Sequence, residues 1–92
     1  MNLTAFLAVL NAKKDDLFMI VGVKGKVTSA SVADNLVKLV VNGKGRDTVA
    51  GVLKALENVD VAAAGALEVV ANGKVIVSAE SNGEDYIVCK VS

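Results

Sequence analysis

The segment Asn42 to Thr48, with the sequence NGKGRDT, has the residue types best suited to binding another molecule. Glycines let backbone amides come close to an anion, and Lys44 and Arg46 add two positive charges. A helix predicted to start directly after the segment would point the positive end of its dipole at the same place. The expected ligand is a phosphate or a partner's carboxylate, unless the segment is an ordinary connection in which Asp47 caps the helix. The candidate binding residues are Gly43, Lys44, Gly45 and Arg46.

Lys24 and Lys26 are two further candidate binding residues, on either side of Gly25. A glycine followed by a lysine occurs again at Gly43-Lys44 and at Gly73-Lys74. None of these pairs forms a phosphate-binding loop, because such a loop needs an upstream glycine at a fixed spacing and a serine or threonine after the lysine. We interpret the lysines as solvated charges at hairpin tips or, if the bases of the first half cluster, as part of a basic surface.

Catalytic chemistry has little support in the composition. The chain has no histidine and one cysteine, so it has no Ser-His or Cys-His pair, no internal disulfide and no zinc site of the usual kind. Cys89 lies in an apolar stretch without a neighbouring base, which is typical of a buried, inert thiol. The acid pairs Asp15-Asp16 and Glu84-Asp85 fall in predicted loops, where we interpret them as solvated charges. We expect no catalytic residues, no metal site and no cofactor.

The composition predicts one small domain with a surplus of aliphatic surface. The chain has 92 residues, of which 53% are hydrophobic, and its aromatic residues are two Phe and one Tyr. A small chain so rich in aliphatic residues often buries part of its apolar surface between subunits. We therefore expect a single domain, residues 1–92, that forms a homodimer.

The charges balance overall but not along the chain. Ten bases offset ten acids, so no net field favours nucleic acid or a membrane surface. Residues 1–46 hold seven of the bases, and residues 47–92 hold seven of the acids. This asymmetry either survives in the fold, where it would steer a partner, or disappears because the two halves intermix.

The first half of the chain reads as one helix followed by three strands. Residues 3–12 carry apolar residues at helical spacing behind Asn2, a good N-cap. The strands are predicted at 17–23, 27–32 and 36–41. The first is an unbroken apolar run, which predicts cover on both of its faces. Asp34-Asn35 predicts a turn before the third, and a helix over 32–41 is the alternative there.

The second half repeats this order. A helix capped by Asp47 or Thr48 carries apolar residues at the same spacing as the first helix. A linker, NVDVAAAG, separates it from strands predicted at 67–71, 74–80 and 86–91. Asn72-Gly73 is a strong hairpin signal between the first two of these. Alternation in the middle strand places Val77 and Ile76 on opposite faces, with Ile76 on the open side.

The two halves predict an α+β domain built from two α-β-β-β units, residues 1–46 and 47–92. The halves are either an internal duplication, which would make the domain pseudo-twofold, or similar architecture without a common origin. We expect a mainly antiparallel sheet of about six strands with two helices on one face, so that the other face is partly open. The residues expected on the open face are Ile76, Ser78, Tyr86 and Val88.

These features favour a non-enzymatic protein-interaction module, an adaptor or an inhibitor that acts as a homodimer. Small chains of this kind are common among accessory proteins of viruses and mobile elements.

No apolar run is long enough to span a membrane and no secretory signal is recognisable, so we expect a complete cytoplasmic protein. One alternative is a protein that binds a small anionic ligand or a nucleotide through NGKGRDT. The other is a nucleic-acid-binding protein, although aromatic residues for stacking are scarce.

Overall fold

A computed structural model describes all 92 residues and shows an α+β domain. Its helices are α1 Leu3–Ala12, α2 Val49–Ala55 and α3 Val61–Ala64, with a 3-10 helix at Leu56–Asn58. Its strands are β1 Leu17–Ile20, β2 Lys26–Ala33, β3 Leu36–Gly43, β4 Asp47–Thr48, β5 Glu68–Ala71, β6 Lys74–Ser81 and β7 Tyr86–Val91. The helices pack on one face of the sheet, and the core lies between them.

The seven strands form one mixed sheet in the order β2-β3-β5-β6-β7-β1-β4. Neighbouring strands are antiparallel except at β3–β5 and β7–β1, which are parallel. The sheet therefore has one strand more than the predicted six, and the domain has a third α-helix. Parallel neighbours need a crossover between them, and the chain makes one through α2 and α3 on its way from β3 to β5.

Helix α1 forms where its spacing predicts it. The side chain of Asn2 accepts a hydrogen bond from the backbone N–H of Ala5 at 2.9 Å, which satisfies one amide of the first turn. Leu3, Phe6 and Leu10 are fully buried. Phe6 meets Phe18 of β1 edge to face, with the ring centres 6.1 Å apart, so that the helix is fixed against the sheet.

The predicted linker NVDVAAAG contains helix α3, so the expectation of two helices was wrong. The side chain of Asp60 accepts hydrogen bonds from the backbone N–H groups of Ala62 and Ala63. This cap starts a helical turn in a run of alanines, the residue with the highest helix propensity. Ala64 faces the core and is buried, which ties the turn to the domain.

Two tight hairpin turns match their sequence signals. Asp34 and Asn35 have φ angles of 54° and 63°, and Asn72 and Gly73 have φ angles of 48° and 81°. Both central residues are left-handed in each turn, as in the type I′ turns that suit the twist of a hairpin. Residues 36–43 are consequently a strand, and the helical alternative over 32–41 is excluded.

Strand β1 is shorter and more exposed than its apolar run predicted. It ends at Ile20, and the chain turns at Gly22, whose φ of 83° suits glycine. Met19 is 43% exposed and Val21 is 50% exposed, so the prediction of cover on both faces was wrong. The reason is that the helices pack on only one face of the sheet.

A bulge in β6 reverses the predicted inside and outside positions. The register of β6 against β7 shifts between Ile76 and Ser78, which inserts one extra residue at Val77. As a result Ile76 is fully buried in the core, whereas Val77 is 52% exposed. The prediction that Ile76 lies on the open face was therefore wrong, because simple alternation does not continue through a bulge.

The carboxylate of Asp47 joins the two strands that end the sheet. Oδ2 of Asp47 accepts a hydrogen bond from the backbone N–H of Val27 at 2.7 Å, and Oδ1 accepts one from that of Thr48 at 2.9 Å. Val27 lies in β2 and Asp47 in β4, the first and last strands of the sheet order. The sheet therefore curls until its ends meet at a buried charged side chain.

We expect Asp47→Ala to lower the free energy of unfolding by about 3 kcal/mol. The change removes two hydrogen bonds to a charged acceptor and leaves the amide of Val27 buried without a partner. Urea unfolding followed by circular dichroism measures the loss. Asp15→Ala, in an exposed loop, is the control and should change stability by less than about 0.5 kcal/mol. Equal effects of the two changes would mean that the link between β2 and β4 does not stabilise the fold.

Candidate functional site

The loops that carry the six candidate binding residues come together at one end of the sheet. Lys26, at the start of β2, pairs with Gly43 at the end of β3. Gly25 approaches the same residue so closely that a Cβ on Gly25 would lie 2.5 Å from the carbonyl oxygen of Gly43. A Cβ on Gly45 would lie 3.6 Å from Cε of Lys26. The two candidate loops therefore form one cluster.

A third loop adds a base to this cluster. The side chain of Asn72 accepts a hydrogen bond from the backbone N–H of Val41 at 2.9 Å and donates one to the carbonyl of Val41 at 2.8 Å. These bonds hold the β5–β6 turn against the end of β3, and Lys74 follows that turn. We call this end of the sheet the basic end. Its exposed bases are Lys24, Lys26, Lys44, Arg46 and Lys74.

No carboxylate forms an ion pair with the basic end. The two ion pairs of the chain are those of Lys38 with Asp34 and of the Met1 ammonium with Glu68. Five acids lie in loops at the opposite end of the strands, near Lys13 and Lys14. They are Asp15, Asp16, Asp34, Glu84 and Asp85. The fold therefore has a charge asymmetry, with the bases at one end of the strands and most of the loop acids at the other. It does not separate residues 1–46 from residues 47–92.

Beside the basic end lies a cavity of about 240 Å³. Arg46 and Gly45 line it together with Met19 and Tyr86, so that a guanidinium borders an apolar wall, and Asp47, whose carboxylate is bonded to backbone amides, lines it as well. Of the predicted bases only Arg46 lines this cavity. A guanidinium can hold a carboxylate or a phosphate through two hydrogen bonds, and the wall suits the apolar part of the same ligand.

The start of α2 adds little to this site. Its N-cap is Thr48, whose Oγ1 accepts a hydrogen bond from the backbone N–H of Gly51 at 3.0 Å. Asp47 is bonded to the backbone of Val27 and Thr48, so it links strands and does not cap the helix. The helix has seven residues, and the Thr48 hydroxyl already accepts a hydrogen bond from its first turn. The charge of Arg46 is thus the main attraction for an anion.

The outer face of the sheet, opposite the helices, carries an apolar patch. Met19 pairs with Val88 in register, and Leu17 pairs with Tyr86 in the same strands. Tyr86 and Val88 are half-buried, as is Ser78, which agrees with their prediction as open-face residues. We call this surface the outer patch. Its residues are Met19, Val21, Val77, Tyr86 and Val88.

The outer patch also carries two opposite charges. Glu80 of β6 pairs in register with Val88 of β7 at the edge of the patch, and Lys90 of β7 pairs with Ser78 of β6 within it. Both charged residues are exposed, and neither takes part in an ion pair within the chain. An acid and a base on one surface can make that surface self-complementary in charge.

Sequence reasoning missed a groove between β2 and the helices that follow β4. The groove is lined on one side by β2 and on the other by α2, the 3-10 helix and α3. Part of the groove is formed by α3, and the run of alanines in α3 was interpreted as a linker. The available signal was Asp60 in front of that run, because an aspartate before alanines is a typical helix start.

Cys89 lies in the core between β6 and β1 and is fully buried. Burial raises the pKa of the Cys89 thiol to about 12, because the thiolate would lose its hydration. The thiol therefore stays protonated and unreactive at neutral pH. The structure brings no three His, Cys, Asp or Glu residues together as a metal site would need.

Comparison with known proteins gives no functional lead. No protein-family model matches the sequence, no curated protein is similar to it, and no solved structure matches the chain. None of the helices is long and apolar enough to cross a membrane. The function has to be inferred from the geometry of the chain itself.

We expect high pH to destabilise the protein through Cys89. The folded thiol has a pKa of about 12 against an ordinary value of 9.0, so its contribution to stability is complete below pH 9.0 and is lost as the pH rises toward 12. Urea unfolding in this range should show a steeper loss for the wild type than for Cys89→Ala, by up to about 1.4 kcal/mol per pH unit. At neutral pH Cys89→Ala should cost about 1 kcal/mol, since it removes a small buried group. Rapid labelling of the native thiol would contradict this role.

Proposed function

We propose that the chain is a non-enzymatic protein-interaction module of the cytoplasm, an adaptor or an inhibitor, that acts as a homodimer. The outer patch is the observation that carries the proposal. Met19, Val21 and Val77 are between 43% and 52% exposed; Met19 and Val77 lie on the outer face of the sheet, and Val21 directly follows β1. Apolar residues gathered in this way are typical of an interface, because water solvates them poorly.

A second copy of the chain is the occupant that best fits the outer patch. A twofold axis through the patch brings the same surface of each subunit together, so apolar side chains meet apolar side chains. An axis that passes between Glu80 and Lys90 would also bring Lys90 of each subunit to its partner's Glu80. Both charges lack an ion pair within the chain, and both are available for this contact.

We expect sedimentation at micromolar concentration to give about twice the chain mass of 9.4 kDa. Val77→Lys should turn the dimer into a monomer, because it replaces an apolar side chain of the outer patch with a second positive charge beside Lys90. Val61→Lys is the matched control, since Val61 is 44% exposed on α3, away from the patch. A monomeric wild type, or a monomer produced equally by both changes, would contradict the proposed dimer.

The cavity at Arg46 favours a second candidate function, binding of a small anionic ligand or a nucleotide. The supporting observation is that one guanidinium borders an apolar wall at the edge of five exposed bases without acidic partners. Such a site attracts a phosphate by charge and holds its organic part by contact. The function would then depend on Arg46 more than on the other bases.

Calorimetric titration with tripolyphosphate tests the anion site. Lys44→Ala together with Arg46→Ala should weaken binding at least tenfold, about 1.4 kcal/mol, because the double change removes the Arg46 guanidinium that lines the cavity. Stability should hardly change, since exposed loop charges contribute little to it. The pair Lys24→Ala and Lys26→Ala should have a smaller effect, because neither lysine lines the cavity.

The control for this titration is the double change Lys13→Ala and Lys14→Ala at the opposite end of the sheet. It removes the same amount of charge and should leave binding unchanged. An equal loss in all three double variants would mean that tripolyphosphate responds to overall charge, and the site at Arg46 would be contradicted.

We propose further that the two halves of the chain derive from one duplicated unit. In support, Gly25-Lys26-Val27 and Gly73-Lys74-Val75 stand at the starts of β2 and β6, each the next-to-last strand of its half. β3 ends the first half and lies parallel to β5, and β7 ends the second half and lies parallel to β1. In diverged homologues, residues 1–46 should align with 47–92 better than shuffled sequences of equal composition do, and a failure to do so would oppose the duplication.

A further inference from the structure

Strand β2 forms a long edge of the sheet that takes few hydrogen bonds. It runs from Lys26 to Ala33 and pairs only with β3. In an antiparallel pair, alternate residues direct their backbone N–H and C=O groups away from the partner strand. Beyond Val27, whose amide is bound by Asp47, no hydrogen bond joins this free edge to another part of the chain. Beyond the bulge at Thr28, β2 therefore offers unused donors and acceptors from Ser29 to Ala33.

This edge has neither the charges nor the prolines that usually keep other strands away, although a bulge at Thr28 interrupts its start and α2 and the 3-10 helix flank it. Proteins protect the edges of sheets by shortness, by charged side chains, by proline, by bulges or by a covering helix. The strand at the other end of the sheet, β4, is protected by its length of two residues. Residues 27–33 of β2 read VTSASVA and contain neither a charge nor a proline. Such an edge is suited to accept an added strand.

A groove follows the free edge and would receive the side chains of an added strand. It consists of two adjoining cavities of about 390 and 430 Å³ that share Ala30 and Asn58. The first cavity lies near the start of β2, beside α2, and the second lies near the end of β2, beside α3. Residues that make the second cavity mainly apolar are Val32, Val59, Ala63, Ala64 and Leu67.

The two ends of the groove differ in charge. Lys54, in the last turn of α2, lines the first cavity and has no ion pair. Lys26 begins β2 at the same end and adds a second positive charge. Asp60 lines the second cavity, but its side chain is already bound to the first amides of α3. The groove therefore suits an occupant that carries a carboxylate at the end near Lys54 and aliphatic side chains at the other end.

We propose that this groove binds an extended segment of a partner polypeptide, which adds to β2 as an antiparallel eighth strand. Running antiparallel to β2, the segment begins beside the apolar cavity and ends beside Lys54. It carries aliphatic side chains at alternate positions toward Val32 and Val59, and an acidic residue near its C-terminal end. About six residues span the free edge, since a strand advances about 3.3 Å per residue. The inference rests on the proposed interaction role and names the chemical class of the partner.

The probe is a synthetic peptide with blocked ends, with valine and threonine alternating over six residues and two glutamates at its C-terminal end. Added to the ¹⁵N-labelled chain, it should give saturable chemical-shift changes at the amides of residues 28–33. A peptide of the same composition with the glutamates at its N-terminal end should bind at least about tenfold more weakly. Two N-methylated versions of the original peptide identify the backbone pairing: one is methylated at the odd-numbered amides and the other at the even-numbered amides. One of the two should not bind, because its methyl groups replace the N–H donors that face β2.

Two neighbouring alanines of α3 give a matched pair of variants. Ala63→Arg fills the second cavity and should weaken peptide binding at least about tenfold. Ala62→Arg places the same side chain on the same helix outside the cavity and should leave binding unchanged. Both alanines are exposed, so both variants should fold, which circular dichroism verifies. Lys54→Glu should remove the preference for glutamates at the C-terminal end.

The outcomes separate the groove from the proposed dimer. No saturable shift at millimolar peptide, shifts located away from β2, or equal effects of Ala62→Arg and Ala63→Arg would each overturn the groove and leave the dimer standing. If Ala63→Arg converts a dimer into a monomer without peptide, a second copy occupies the groove and the proposal fails. A monomeric wild type that still binds the peptide through β2 would remove the dimer and support the groove.

Discussion

The fold depends on one buried carboxylate. Asp47 accepts hydrogen bonds from the backbone N–H groups of Val27 and Thr48. These bonds fix β2, the first strand in the sheet order, to β4, the last. A charged group in an apolar interior is tolerated only with such partners. The pairing of β2 with β3 places the β1–β2 loop beside the β3–β4 loop, and the closure through Asp47 fixes this basic end to β4. The closure is also brief, because β4 has two residues, and most of β2 is therefore left without a neighbouring strand on that side.

Features that depend on residues close in sequence could be predicted well. The bounds of α1 follow from Asn2 and the apolar spacing behind it, and the Asn72-Gly73 turn follows from its own backbone preferences. The burial of Cys89 was predictable because apolar residues surround it in a strand. In each case the decisive interactions lie within one element or one turn, so the sequence pattern contains them.

Features that depend on contacts between distant segments could not be read in the same way. The extra residue at Val77 is decided by the register between β6 and β7, and it reverses the face of Ile76. The parallel pairs β3–β5 and β7–β1 join segments that no local pattern connects. The candidate bases were recognisable as types, and the β2–β3 hairpin brings Gly25 to Gly43, but the position of Arg46 beside Met19 depends on the pairing of β4 with β1.

The position of β1 in the sheet has a consequence for how the protein is made. Of the seven strands, β1 is translated first, yet its parallel neighbour β7 is translated last. Until Tyr86 to Val91 have been translated, the apolar stretch Leu17 to Ile20 has no strand on that side, and an exposed strand edge invites aggregation. The domain therefore closes only after β7 has been made, and a chain arrested earlier is a substrate for chaperones and proteases.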